Sequence, residues 1–311
     1  MQPLPALVYD ACYSALALPA NHRYPIGKYH ALHQALLNLG LRPADFYPAA
    51  PITAAELCRL HQPDYVSALI SGNLSSKAMR RIGFPWSEAL ITRALQSVGG
   101  TLQTTRLALE QGLAIHLSGG YHHALAAEGA GFCLFNDLAV AARLMQQQGV
   151  GPILIFDLDV HQGDGTAAIF ADDPHIITAS IHCEKNFPAR KQPSDWDVGL
   201  PRGCEDAHYL ETVQQSLDAL LQWHRPELVL YDAGIDVHVK DELGLLNIST
   251  SAIYQRDQLV LSRCRELHIP VAAVIGGGYQ RDINALTAIH LQLFKAAFTL
   301  TGSDLASKIK T

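Results

Sequence analysis

The chain alternates short apolar segments with longer segments of helical periodicity. The apolar segments are rich in β-branched residues and bounded by turn residues; they cover residues 6–9, 113–117, 153–158, 176–181, 228–231 and 271–275. The helical segments between and after them include residues 97–111, 136–148, 206–223, 254–267 and 284–298. Strands that alternate with helices are joined by right-handed crossovers, which predicts a mostly parallel sheet covered by helices on both faces. Near-continuous apolar strands fit that burial.

The sequence favours one domain. Hydrophobic residues make up 49% of the 311 residues and charged residues 17%, which is enough for a large core. Because no Ser/Gly-rich or Pro-rich linker and no repeat divides the chain, we assign residues 1–311 to a single α/β domain. Its core covers about residues 5–300, and residues 301–311 are expected to fray. Residues 71–87 and 183–205 are predicted to be long loops, which in a compact domain are usually functional rims.

Composition and charge exclude several classes of protein. The net charge is −6, without the basic stripe of a nucleic-acid binder. No apolar run reaches the roughly 18–20 residues of a membrane span. Six cysteines lack any C-x-x-C pair, and the N-terminal residues lack the pattern of a signal peptide, so reduced thiols are expected. These features predict a soluble cytoplasmic protein with no nucleic-acid partner; they do not determine its oligomeric state.

Polar residues follow four of the apolar segments. Asp157, Asp159 and His161 alternate along one segment and therefore project to the same side of a strand. Burying two carboxylates and an imidazole is costly unless they are paired or hold a metal ion. Further candidates follow the other segments: His122 and His123, Asp236, and Tyr279 after three glycines. Ligands of parallel sheets bind beyond the carboxyl ends of the strands, so these side chains are expected to converge.

The residue types indicate a catalytic metal centre. If Asp236 joins Asp159 and His161, three protein ligands leave one position open, as at catalytic rather than structural zinc. Neutral histidines beside a metal can accept a proton from water. Asp157 and Asp164 are candidates to orient His122 and His123. A phenol at position 279 could donate a hydrogen bond to a developing oxyanion.

Five motifs together resemble the zinc-dependent histone deacetylase superfamily, and most closely its class IV branch and bacterial relatives. They are Gly-Gly-Tyr-His-His at 119–123, Gly-Phe-Cys-Leu-Phe-Asn-Asp at 131–137, Asp-Leu-Asp-Val-His-Gln-Gly-Asp-Gly at 157–165, Ala-Gly-Ile-Asp at 233–236 and Gly-Gly-Gly-Tyr at 276–279. The resemblance extends from about residue 24 to about residue 298. It implies one arginase/deacetylase-like domain around a central eight-stranded, mostly parallel sheet flanked by helices.

The resemblance also implies a role for each matching residue. Zn²⁺ would be bound by Asp159, His161 and Asp236. His123, supported by Asp164, would act as general base and then general acid, while His122, paired with Asp157, would supply electrostatic stabilisation. Tyr279 would polarise the substrate carbonyl. A structural K⁺ ion is implied near Asp157, Asp159, His161 and Ser180, and the substrate tunnel would be formed by Phe132, Phe187, Leu243, Gly131 and Gly277.

The implied activity is hydrolysis of acyl groups, acetyl or longer, from the ε-amine of lysine in proteins or peptides. Three alternatives stay open. A deacetylase of small acylated amines such as acetylpolyamines would carry an acidic gatekeeper seven residues after Asp236, where this chain has Leu243 next to Glu242. An arginase-type hydrolase would bind two manganese ions, and a non-catalytic binder would keep only the pocket.

Overall fold

The computed structural model describes residues 4–310. Within them the chain forms eight β-strands: β1 (Ala6–Val8), β2 (Phe46–Tyr47), β3 (Leu113–His116), β4 (Ile153–Asp157), β5 (Ile176–Cys183), β6 (Trp196–Leu200), β7 (Leu228–Asp232) and β8 (Val271–Val274). The same residues form ten α-helices: α1 (Lys28–Leu39), α2 (Ala54–Leu57), α3 (Pro63–Ile70), α4 (Ser76–Ile82), α5 (Glu88–Gln111), α6 (Asp137–Gln147), α7 (Asp164–Phe170), α8 (Asp206–His224), α9 (Thr250–Glu266) and α10 (Ile283–Thr301).

All eight strands join one sheet in the order β2-β1-β3-β8-β7-β4-β5-β6. Each of the pairings is parallel. The predicted single α/β architecture with an eight-stranded, mostly parallel sheet is therefore confirmed. Every residue of β4, β5, β7 and β8 is buried, which explains why these strands appear in the sequence as continuous apolar runs.

The connections place helices on both faces of the sheet. The chain moves one way across the sheet through α6 and α7, and returns through α8 and α9. Since parallel crossovers are right-handed, these two helix pairs cover opposite faces. The long helix α5 packs against β1, β3 and β8, and α10 packs against α1 and α9. Among residues 4–310, no helix combines the length and the hydropathy needed to cross a bilayer.

The structure corrects the two predicted loops. Residues 71–87 contain α4, and residues 183–205 contain β6. Strand β6 lies at the edge of the sheet and pairs only with β5. Its residues alternate between partly buried and exposed up to buried Leu200, so it lacks the continuous apolar pattern by which the other long strands were recognised.

The C-terminal segment, which was expected to fray, is packed against the fold in the residues described. Residues Asp304–Lys308 form a 3₁₀ helix, and the Ile309 side chain is only 4% exposed. Lys308 Nζ donates to the carbonyl of Leu39, and Gln292 Nε2 donates to the carbonyl of Lys310. The apolar Ile309 anchor therefore fixes a segment whose remaining residues are mostly polar. Thr311 lies outside the described residues.

This packing predicts a measurable contribution to stability. Replacing Ile309 with Ala removes a buried side chain and should lower the free energy of unfolding by about 2 kcal/mol. Denaturant titration would measure it. Ser307→Ala, at an exposed position of the same segment, is the control and should change stability by less than about 0.5 kcal/mol. Equal stability of the two variants would mean that the segment contributes nothing to the fold.

Candidate active site

The four segments that carry the candidate residues converge because their strands are neighbours. Strands β3, β8, β7 and β4 lie side by side at the centre of the sheet. In a parallel sheet their carboxyl ends face the same edge, where ligands bind. Convergence at this edge was expected from the sequence. The order of the strands, which makes it possible, is visible only in the structure.

Asp159, His161 and Asp236 form one compact, buried group. His161 Nδ1 lies 3.0 Å from Asp159 Oδ1 and 3.1 Å from Asp236 Oδ2. Backbone amides hold both carboxylates: Gly277 N donates to Asp159 Oδ2 at 2.9 Å, and Val160 N donates to Asp236 Oδ1 at 2.8 Å. One donor atom from each of the three side chains lies within 4.8 Å of the other two. This arrangement suits a divalent cation with three protein ligands.

The electrostatics of this group also fit a cation. Burial and the negative charge of Asp159 raise the pKa of the Asp236 carboxyl to about 7. Burial acts to lower the pKa of His161, but hydrogen bonds to the two carboxylates outweigh it and raise that pKa to about 10. The group therefore holds a proton tightly between two carboxylates, as expected of a site built for positive charge.

Gly277 makes room for the carboxylates. A Cβ at this position would lie 2.2 Å from Asp236 Oδ2 and 2.3 Å from Asp159 Oδ2. Any side chain would therefore displace the oxygen atoms that face one another across the site. Gly277, which was predicted to line the substrate tunnel, packs against the metal-ligand candidates and is not among the described residues that line the cavity.

Two histidine–aspartate pairs lie beside this group. His122 Nδ1 lies 2.6 Å from Asp157 Oδ2, and His123 Nδ1 lies 2.7 Å from Asp164 Oδ1. The two Nε2 atoms are 3.2 Å apart. All four side chains are buried. The pairing of each histidine with its aspartate is the one expected from the sequence.

The two histidines differ in their affinity for a proton. Burial acts to lower the pKa of His122, but attraction to Asp157 and Asp159 is stronger and raises that pKa well above its usual value. Burial and the adjacent positive charge of His122 lower the pKa of His123 to about 4. A cationic His122 can donate from both ring nitrogens, from Nδ1 to Asp157 and from Nε2 to the Nε2 lone pair of neutral His123. His123 Nε2 must leave this contact before it can accept a proton from water.

A cavity of about 870 Å³ leads to these groups. His123, His161, Asp164 and Tyr279 line its inner part, and its walls include Gly131, Phe132, Phe187 and Leu243. The Phe187 ring packs edge-on against His123 with 4.8 Å between centroids, and the ring of Tyr279 lies 6.0 Å from that of Phe132. Burial, together with Asp159 and Asp236, raises the pKa of Tyr279 well above its usual value, so this phenol keeps its proton.

A sequence profile described as the histone deacetylase domain matches residues 22–294. The chain belongs to the histone deacetylase family. It is 50% identical over 293 residues to an uncharacterized protein of Picosynechococcus sp., covering 94% of this chain and 97% of that protein. Histone deacetylase 2 of Arabidopsis thaliana is 28% identical, with 89% of this chain and 75% of that protein covered.

Other similarities agree with this membership. The acetoin utilization protein AcuC of Staphylococcus aureus is 29% identical to this deacetylase-family chain, covering 71% of it and 63% of AcuC. The crystal structure of a histone deacetylase homologue from Aquifex aeolicus superposes with a TM-score of 0.82 at 24% identity, covering 99% of this chain and 88% of that one. This structural likeness confirms the fold.

Sequence reasoning missed one buried acid of this deacetylase-family site. Asp232, the last residue of β7, is completely buried; its Oδ1 accepts from Gly234 N at 3.1 Å, and its Oδ2 has no hydrogen-bond partner among residues 4–310. It lies within 4.8 Å of donor atoms of His122 and Asp157. Burial, then Asp157, raises its pKa far above the usual range, which favours a neutral carboxyl. Its position at the end of an apolar strand was the available signal.

Two further residues, Asp241 and Asn186, position the loops around the cavity. Asp241 Oδ2 accepts from the backbone N of Tyr279 at 2.7 Å, while its Oδ1 accepts from Leu243 N at 2.8 Å. Asn186 Nδ2 donates to the carbonyl of Leu243 at 2.7 Å and lies 3.4 Å from His161 Nε2. Asn186 has no separate signal in the sequence, because a single asparagine in a loop is usually a turn residue.

The packing of Gly277 makes a direct prediction for this deacetylase-family site. In Gly277→Ala the new Cβ would force apart Asp159 and Asp236, so the affinity for a divalent cation, measured with Zn²⁺ as the probe, should fall by about tenfold to 100-fold. Competition with a chromogenic chelator measures this affinity. Gly27→Ala is the matched control, because its Cβ would meet nothing within 4 Å. Unchanged affinity in Gly277→Ala would show that Zn²⁺ does not use these carboxylates.

Proposed function

We propose that this protein is a zinc-dependent amide hydrolase that removes acyl groups, acetyl or longer, from the ε-amine of lysine in proteins or peptides. The observation that carries the proposal is the convergence of the Asp159–His161–Asp236 group, the two histidine–aspartate pairs and Tyr279 at the inner end of one cavity. Membership of the histone deacetylase family supports it, and one solved homologue is described as a complex with SAHA.

Asp159, His161 and Asp236 would hold the zinc ion, which when bound polarises an acyl carbonyl and lowers the pKa of water. The neutral imidazole of His123 accepts the proton of the attacking water at Nε2, and Asp164 fixes the ring through Nδ1. The cationic His122, held by Asp157, stabilises negative charge that develops nearby. The protonated imidazole then returns the proton to the leaving amine.

Tyr279 would donate a hydrogen bond to the oxygen of the reacting carbonyl. Its phenol stays protonated and faces the cavity beside His161, with 6.1 Å between the two ring centroids. Asp241 fixes the backbone of Tyr279. The phenol therefore donates to the oxyanion from a position set before the substrate binds, which is what lowers the barrier.

The Tyr279 hydroxyl gives a sharp test of this mechanism. Tyr279→Phe should lower kcat on an acetyl-lysine peptide by about 100-fold, corresponding to about 3 kcal/mol, with a smaller change in KM. Tyr254→Phe is the matched control, because Tyr254 lies on α9 and does not line the cavity. Full kcat in Tyr279→Phe would rule out the proposed hydrogen bond.

We also propose a structural K⁺ ion near Asp157, Asp159, His161 and Ser180. The proposal is supported by the register of strands β4 and β5, in which Asp157 and Ser180 are direct neighbours.

All six cysteines are free thiols, which supports a reducing, cytoplasmic location.

The main alternative is hydrolysis of small acylated amines such as acetylpolyamines. Recognition of a cationic amine needs a carboxylate at the cavity wall, where this chain places Leu243. The neighbouring Glu242 is engaged by Arg281, whose Nε donates to Glu242 Oε2 at 3.1 Å. The structure thus offers no free acid at this position, and we favour acyl-lysine.

A panel of substrates separates these two functions. We expect kcat/KM for an acyl-lysine peptide to exceed that for acetylspermidine or acetylputrescine by at least about tenfold, roughly one charged hydrogen bond. The peptide series should include acetyl, intermediate and long-chain acyl groups, since it also measures acyl-chain preference. Faster hydrolysis of the polyamines would reverse the assignment.

One observation favours a second alternative, an arginase-type hydrolase with two manganese ions. His122, Asp157 and Asp232 form a second group of buried side chains with donor atoms within 4.8 Å of one another. In the proposed mechanism His122 is needed as a hydrogen-bonded cation, so this group holds a proton rather than a metal. Elemental analysis separates the two functions: one zinc per chain supports the deacylase, and two manganese ions support the alternative.

A further inference from the structure

The mouth of the cavity is strongly cationic. Its lining includes the side chains of Arg80, Arg81, Lys185 and Arg190, but only one glutamate, Glu128. This concentration of positive charge contrasts with the net charge of −6 for the whole chain. A cluster of one sign around a cleft raises the local concentration of oppositely charged ligands.

These cations stand on two walls of the mouth. Arg80 and Arg81 belong to the last turn of α4, which is next to the Phe132 wall because the carbonyl of Arg81 accepts from Gly131 N. Lys185 and Arg190 flank Phe187 in the opposite wall's loop. If a substrate lysine lies between Phe132 and Phe187, the residues on both sides of it in the substrate polypeptide would therefore lie near cations.

Nearby carboxylates cancel only part of this charge. Arg81 pairs with Glu128, and Lys185 lies 3.2 Å from exposed Glu184. Arg80 and Arg190 are exposed and form no salt bridge within the described residues. The acids deeper in the site are already engaged, Asp164 by His123 and Asp241 by backbone amides.

We propose that the cationic mouth selects acyl-lysines whose neighbouring residues in the polypeptide are acidic. This inference rests on the proposed deacylase function and names its substrate class. An acylated lysine is neutral, so the charge of a peptide substrate comes from its flanking residues, which meet the mouth. An acidic polypeptide fits better than a nucleic acid, because the four cations are confined to one small rim and do not form a stripe.

The test uses three acetyl-lysine peptides that differ only in their flanking residues: Asp/Glu, Ala/Ser or Lys/Arg. At low ionic strength, kcat/KM should be about fivefold to tenfold higher for the acidic peptide than for the basic one, mainly through KM. The ratio should approach one near 0.5 M NaCl, because exposed charges are screened. The double variant Arg80→Glu, Arg190→Glu should invert the preference.

The control variant carries the same change of charge elsewhere. Arg59→Glu, Arg106→Glu alters two exposed arginines that do not line the cavity and should keep the wild-type ratio. Equal kcat/KM for acidic and basic peptides at low salt, or an equal loss of preference in the control, would overturn the proposal. So would tighter binding of a labelled single-stranded oligonucleotide than of the acidic peptide.

A binding measurement keeps this proposal separate from the proposed function. If no peptide is hydrolysed, the deacylase function fails, and fluorescence anisotropy with labelled acidic and basic peptides still tests the mouth. Tighter binding of the acidic peptide, reversed in Arg80→Glu, Arg190→Glu, supports the cationic mouth even then. Equal binding of both peptides overturns it.

Discussion

The burial of several carboxylates at one edge of the sheet is the constraint on which the rest of this structure depends. Asp157, Asp159, Asp232 and Asp236 are each at most 3% exposed, and all follow or end the two neighbouring strands β4 and β7. Desolvating one unpaired carboxylate costs several kcal/mol, so four in one place need partners or protons. Their surroundings supply both, with a backbone amide to each of the four and imidazoles to Asp157, Asp159 and Asp236.

Buried cations behind this edge hold the loops that carry the acids. Arg256 is completely buried, and its guanidinium donates to the carbonyls of Ala233 and Gly234 at 3.1 and 2.6 Å. Lys28 Nζ donates to the carbonyl of Gly276 at 2.9 Å, although burial lowers its pKa to about 8. The turn after β7 is thus fixed by Arg256 of α9, and the turn after β8 by Lys28 of α1. This rigidity matters because a metal site and a catalytic hydrogen bond both lose strength with small displacements.

The sequence predicted the fold class and most of the site because both have local signatures. Continuous apolar runs identified six of the eight strands, and acids, histidines or a tyrosine after four of them identified the side chains that converge. Strand β6 and the folded segment around Ile309 were missed, since each depends on contacts with distant residues that leave no local pattern. The packing position of Gly277 and the burial of Asp232 were missed for the same reason: both follow from the order of the strands, which alternation alone does not determine.

The separation of the buried sheet edge from the exposed rim explains how this site could choose among substrates. The groups proposed for chemistry lie at strand ends, where one shift would disturb the buried charges, whereas the cations at the mouth lie on α4 and on the loop before β6. Residues there can change without disturbing the sheet. In this chain a cationic substrate would be disfavoured twice: Leu243 supplies no carboxylate at the cavity wall, and the exposed Arg80 and Arg190 would repel the substrate at the entrance. A neutral acyl-lysine, the proposed substrate, would meet neither obstacle, and acidic neighbours would turn the entrance charge from a barrier into an attraction.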